Sequence, residues 1–169
     1  MLIKQLVVEV KNKVGELHNI VSILSKFNID MKALLSNTEL TDSGVVNKIR
    51  MIVMNNELAV SVLENEGYKA YLENVVIVDV TDATGSFTPI LKVLKDNKLN
   101  IAYVYTFLTH VENKALAVFN FDNNEKALKV LKDNQFTIVT NNTIKSRYGN
   151  SELFEERNIR EYLSTIITP

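Results

Sequence analysis

Apolar positions along the chain keep two rhythms, one near two residues and one near 3.6, and they change over at short polar breaks. Gln5–Val10 reads as a strand; after "KNKVG" the residues Leu17, Ile20, Val21 and Leu24 recur at helical spacing. Extended segments are predicted at Ile29–Ser36 and Lys48–Met54, then a helix at Glu57–Glu66 and a short strand at Tyr68–Leu72. The series then starts again, with strands at Val75–Thr81, Ile101–Thr109, Lys114–Phe121 and Phe136–Thr140 and helices at Thr88–Asn97 and Glu125–Asn134. Pro89 falls in the first turn of its helix, where a missing N–H breaks no bond.

The two series match residue by residue. Val8, Val10, Gly15, Leu17, Ile20 and Leu24 stand opposite Val78, Val80, Gly85, Phe87, Ile90 and Leu94 at one offset, and two extra residues then bring Asn28-Ile29 opposite Asn100-Ile101. Further on, "NNELAVSVLENEGY" matches "NNEKALKVLKDNQF". The order βαββαβ, used twice, gives an α+β fold of two ferredoxin-like domains, each an antiparallel sheet with two helices on one face. The domains are placed at 1–73 and 74–140, followed by a C-terminal extension, 141–169. In that extension Ile159, Tyr162, Leu163, Ile166 and Ile167 predict an amphipathic helix. "IAYVYTFL", "KALAVFNF" and "VVIVDV" are apolar at both parities, unlike strands with one wet face. The sheet face away from the helices is therefore expected to be buried against the other repeat, another subunit or the C-terminal extension.

Composition narrows the partners. With 19 basic and 20 acidic residues mixed along 169, the chain has no broad field for nucleic acid or an anionic membrane, and neither is expected as a partner. Cysteine is absent, which removes disulfides, thiolate nucleophiles and Cys-bound zinc and fits a cytoplasmic location. Lys4 and Gln5 interrupt the N-terminal apolar run, so a soluble, unprocessed chain is expected. The histidines His18 and His110 lie far apart, and no P-loop, G-x-S-x-G or G-x-G-x-x-G occurs among 5 glycines. No catalytic residue, metal ligand or cofactor is assigned. "KALAVFNF" looks superficially like the third strand of an RNA-recognition module, but Ala115 and Leu116 replace the glycine and first aromatic that such a motif needs.

The stretch "KNKVGELHNIVSILSKFNIDMKAL" resembles the opening of ACT domains, and "KIRMIV", "NIAYVYTF" and "NNEKALKVLKDNQF" extend the likeness over about Leu2 to Thr140. As a whole the chain resembles free-standing regulatory proteins built of two ACT domains in tandem. The resemblance implies a non-catalytic sensor, acting as a homodimer or on a regulated enzyme, that binds an amino acid or similar small effector between ACT domains. It also implies that the first strand–helix loops carry the site: Asn12, Lys13, Val14, Gly15, Glu16 and Leu17 in one repeat, and Asp82, Ala83, Thr84, Gly85, Ser86 and Phe87 in the other. Val14 and Thr84 stand where many relatives have proline. Small regulatory subunits of branched-chain amino-acid synthesis also begin with an ACT domain, but do not normally repeat the glycine corner as "DATGSFTPIL" does.

The chemistry suits such a ligand. Leading N–H groups of a helix have no internal acceptor and favour a carboxylate. Glycine at 15 or 85 permits close approach and unusual dihedrals, and Asn12 or Asp82 offers an oxygen to an ammonium, Asp82 with charge assistance. Asn, Asp and Gly also serve turns and caps for local reasons alone, so the corner has two readings. Tyr103, Tyr105 and Phe107 are second candidates, as a ligand wall or as sheet packing; Asn37, Thr38 and Asn47 are polar candidates on the first repeat.

Overall fold

The computed structural model describes residues 1–41, 44–108 and 114–148. In chain order it contains β1 (Ile3–Val10), α1 (Glu16–Lys26), β2 (Met31–Thr41), β3 (Gly44–Val53), α2 (Asn56–Asn65), β4 (Lys69–Thr81), α3 (Phe87–Asp96), β5 (Ile101–Thr106), β6 (Lys114–Phe121), α4 (Asn124–Asp133) and α5 (Asn141–Tyr148). This is an α+β fold of tandem ferredoxin-like units. The predicted helix at Ile159–Ile167 and His110 lie outside the described residues.

Of the described residues, Leu6–Leu72 form one compact unit, and Met1–Gln5 with Glu73–Arg147 form the other. In the first unit the strands run in the order β2-β3-β1-β4, with β1/β3 and β2/β3 antiparallel. Leu6, Val8 and Val10 of β1 and Ile49, Met51 and Val53 of β3 share a buried core with Ile20 and Leu24 of α1 and Leu58, Ala59, Val62 and Leu63 of α2. In the second unit, β4, β6 and β5 are successive antiparallel neighbours. Val76, Val78 and Val80 pack there with Ile90 and Leu94 of α3 and Ala127, Leu128 and Leu131 of α4. Every core residue named is where the helix or strand period put it.

Helix ends repeat as closely as cores. α1 and α3 are followed by Asn28 (φ 53°) and Lys98 (φ 54°), α2 and α4 by Gly67 (φ 84°) and Gln135 (φ 64°), each a left-handed residue closing the last turn. The backbone bonds Ile29 N to Leu24 O (2.8 Å) and Leu99 N to Leu94 O (3.0 Å) are equivalent, and both following strands carry a bulge at their start. These pairs keep the offset of 70 through the second strand, so the match of Asn28-Ile29 with Asn100-Ile101 is corrected: the length difference falls in the hairpin that follows. A likeness of two letters lost to the dihedral demands of the helix end.

Three further predictions are revised. Tyr68–Leu72 and Val75–Thr81 are not separate strands; β4 runs for 13 residues without a break, because "KAYLENVVIVDVT" contains no Gly or Pro to interrupt it. The strand at Phe136–Thr140 shrinks to a bridge between Val78 and Ile138, supported by Asp79 N to Thr137 O and Val139 N to Ile77 O, both 2.9 Å. Helix α5 was not foreseen, since among Asn141–Arg147 only Ile144 is buried and the helix shows no amphipathic period; Thr140 accepts from Thr143 N (3.3 Å) at its start. Arg147 of α5 donates to Asp79 Oδ2 at 2.8 Å.

The face away from the helices is buried, as its composition requires. Val75 and Ile77 of β4 and Leu116 and Val118 of β6 alternate with the core set yet are almost inaccessible. In the first unit Val7 and Ile52 are likewise buried. Among the described residues no helix is long and apolar enough to cross a membrane.

Candidate functional site

Each repeat passes from its first strand to its first helix through an exposed corner, 11–15 in one and 81–85 in the other. The corners are built alike. Lys13 N donates to Lys11 O (2.8 Å) and Ala83 N to Thr81 O (2.9 Å), and both glycines adopt a left-handed backbone, φ +94° at Gly15 and +82° at Gly85. A Cβ added at either would meet nothing within 4 Å, so glycine is required by the dihedral and open space lies in front of it.

What distinguishes these corners is the helix start behind them. Asn55 Oδ1 accepts from Leu58 N (3.1 Å) to cap α2, and Asn123 Oδ1 accepts from Lys126 N (2.9 Å) to cap α4. The cap positions of α1 and α3 are Gly15 and Ser86, and neither supplies a side-chain acceptor; the Ser86 hydroxyl instead donates back to Ala83 O at 2.8 Å. Asn12 and Asp82 are exposed and do not occupy the cap positions. Corner carbonyls take some of the leading amides, Glu16 N donating to Lys13 O (3.5 Å) and Thr88 N to Gly85 O (3.0 Å). Pro89 has none, and no side chain caps those that remain at the positive end of the helix dipole.

The remaining predicted residues divide between surface and core. Lys13, Val14, Ala83 and Thr84 are exposed, Val14 completely. Glu16 accepts from the Tyr68 hydroxyl (3.3 Å); burial, reinforced by the Glu16 charge, raises that phenol above its ordinary range. Leu17 packs against the first core and Phe87 against the second, with its ring 6.2 Å from that of Phe119. Gly15 and Leu17 also open a shallow groove that continues along α1 past His18, Val21, Ser22 and Ser25. The corners differ in charge: the first is flanked by Lys11 and Lys13, whereas 81–86 contains Asp82 and no cation.

The second candidates lie elsewhere. Tyr103 and Tyr105 stand on the sheet face opposite α3, where the Tyr105 hydroxyl donates to Gln5 Oε1 (2.7 Å) and the Tyr103 hydroxyl to Glu73 Oε2 (3.1 Å). Gln5 Nε2 donates to Glu73 Oε2 (3.1 Å) and to the Tyr103 hydroxyl. Phe107 is buried on the same side. Asn37 belongs to a network in the first unit, accepting from Arg50 Nη1 (2.7 Å) while Arg50 Nη2 donates to Glu39 (2.7 Å) and Lys48 pairs with Glu39 (3.1 Å). Asn47 accepts from the Ser36 hydroxyl (3.3 Å), and Thr38 is exposed. The structure places none of these at a glycine corner.

These polar networks were missed, although a signal existed: Gln5 and Arg50 stand directly beside apolar runs of their strands and are the buried polar residues among those described. A buried polar group must find partners, and both do. Glu9 joins the second network, accepting from Lys69 (2.6 Å) and Tyr71 (2.9 Å), and the Lys69 bond first of all holds its carboxyl below the usual range. Burial pushes Glu39 upward, but the bonds from Lys48, Arg50 and Asn37 outweigh it and the carboxyl is lowered. No group of three or more metal-binding side chains occurs among the described residues.

Comparison with known proteins bears on the fold. The family model described as an ACT domain pair matches residues 1–147. Among solved structures, a protein from Bacteroides thetaiotaomicron is similar with a TM-score of 0.74 and 24% identity, covering 85% of this chain and 96% of its own. The regulatory subunit of aspartate kinase from Thermus thermophilus, in a ligand-free form, is similar with a TM-score of 0.52 and 15% identity, over 77% of this chain and 90% of its own. The corresponding subunit from Thermus flavus has a TM-score of 0.52 and 12% identity over the same shares. At these identities the likeness is one of fold. No curated protein matches the chain.

Proposed function

Because the chain belongs to the ACT domain pair family, we propose that it is a non-catalytic sensor that binds a free amino acid at its glycine corners. One observation carries the reading: the helices behind Gly15 and Gly85 start without a side-chain cap, whereas the other helix of each unit is capped by asparagine. A ligand carboxylate suits the exposed amides, and the adjacent Asn12 or Asp82 suits its ammonium. The unlike charges make the corners unequal. Lys11 and Lys13 favour a ligand with a second anionic group at the first, while Asp82 favours the ammonium more strongly at the second.

Regulation then works through differential affinity, the effector favouring one arrangement of a bistable assembly over another. A thermal-shift screen of the free amino acids tests this. Ligand at 100 times its Kd is expected to add about 2.7 kcal/mol, several degrees for a chain of this size. Asp82→Ala and Asn12→Ala should each remove part of the shift while leaving the unliganded Tm in place. Absence of a shift with all of them defeats the reading.

The fold shared with the aspartate kinase regulatory subunit favours one refinement, a partner enzyme of amino-acid biosynthesis. Capture of such an enzyme by the tagged chain, released or strengthened by the effector, is its expected signature.

A further inference from the structure

Asp79 stands between Val78 and Val80, which pack in the core with α3 and α4, so its side chain lies on the opposite face of β4, where only 2% of it is accessible. A charge so enclosed persists only when it is paired. Its match in the first repeat, Glu9, is served from within the sheet: Lys69 and Tyr71 of β4 donate to it at 2.6 and 2.9 Å. The residues in step with those two are Thr137 and Val139, which bring neither a cation nor a phenol. They belong to the strand that has shrunk to a bridge, held by the backbone bonds of Asp79 N and Val139 N. The counter-charge comes instead from beyond the repeat, Arg147 of α5 at 2.8 Å, together with Lys114 of β6 at 3.3 Å.

Little else holds that helix. Its eight residues fall short of the roughly 12–15 that sustain an isolated helix in water. Ile144 is its buried side chain among Asn141–Arg147, whereas α3 buries two residues and α4 three. Its start rests on the 3.3 Å bond from Thr143 N to the Thr140 hydroxyl. The charge that Asp79 requires is thus carried by the helix with the fewest ties to the core.

We propose that residues 137–147 form a releasable strap, in which the bridge and α5 lift from β4 together while the core of the second unit stays folded, and that the Arg147–Asp79 pair is its catch. Release bares the Asp79 carboxylate, the seat of Ile144 and the backbone edge of β4 at Ile77 and Asp79. The second unit then has a closed and an open state, whose balance any binder of the open one shifts. In the first unit the corresponding strand is the opening of β4, which runs on unbroken and carries its own lysine. The strap includes neither glycine corner and is measured without ligand, so its failure is separate from failure of the amino-acid reading.

Native-state hydrogen exchange on the full chain tests this. The amides of Asp79, Val139 and Ile144, bonded to Thr137 O, Ile77 O and Thr140 O, are expected to exchange through one shared opening. That opening should be about 100-fold or more frequent than the one that frees Val118 and Phe119 of β6, the strand between β4 and β5. Asp79 is the decisive probe, because it lies in β4 and yet should exchange with α5. Arg147→Ala should speed all three about tenfold and leave Val118 and Phe119 unchanged. Asp79→Asn should do the same at Val139 and Ile144, and the two substitutions combined should add nothing to either alone, since they break one contact. Exchange of the three amides only in step with Val118 and Phe119, three unrelated rates, or a rate at Ile144 indifferent to Arg147→Ala overturns the proposal.

Discussion

At the scale of single residues, burial separates scaffold from site. Leu24 is almost inaccessible in the first core, and Leu24→Ala should cost about 2–5 kcal/mol, read as a fall in the denaturation midpoint. Asn12 and Asp82 are exposed away from the cap positions, so their truncation should leave unliganded stability within about 0.5 kcal/mol. Gln135 shows the opposite case of a residue held against its preference. It sits at φ 64° where the matched residue of the first repeat is Gly67, and left-handed backbone costs an L-residue roughly 1–2 kcal/mol. Gln135→Gly should therefore stabilise by up to about 1 kcal/mol after the extra chain entropy of glycine is subtracted, whereas Gly67→Ala should destabilise.

At the scale of elements, the four repeat helices fall into two classes that sequence alone blurred. Every one of them follows a polar stretch containing Asn or Asp, but only Asn55 and Asn123 turn an oxygen onto the helix amides. Asn55→Ala and Asn123→Ala should each cost about 1 kcal/mol in chemical denaturation, a loss not shared by alanine at Asn12 or Asp82. Strands were legible where one face had to be apolar, as in β1, β3 and β6. Their limits were not: the polar pair Glu73-Asn74 between two apolar runs reads as a gap, although no Gly or Pro breaks β4 there. Helix α5 was illegible for a related reason: it is held by Ile144 and the Arg147 bond to Asp79, contacts a periodicity search does not see.

At the scale of the whole molecule, the carboxylates of the sheet-face network set the response to acid. Glu9 and Glu39 are both held below the ordinary value of 4.5, so their folded forms favour the ionised state. Their contribution to stability is fully present above pH 4.5 and is lost as pH falls through the lowered folded values. The Tm should therefore drop below pH 4.5 more steeply in the wild type than in a Glu9→Gln, Glu39→Gln variant, which lacks that slope.

The sequence by itself determined the repeat, its βαββαβ order, the two cores and the glycine corners, because all of these rest on residue spacing and on dihedrals that few side chains accept. Tertiary structure alone decided which polar residues meet. Gln5 finds Tyr103 and Tyr105 across 98 and 100 residues of chain, and Arg50 finds Glu39 through the β2/β3 register. Partners so distant are chosen by strand order and pairing, quantities that no local window contains. The uncapped starts of α1 and α3 belong to the same class, since a polar residue before a helix becomes a cap only when the backbone turns it inward.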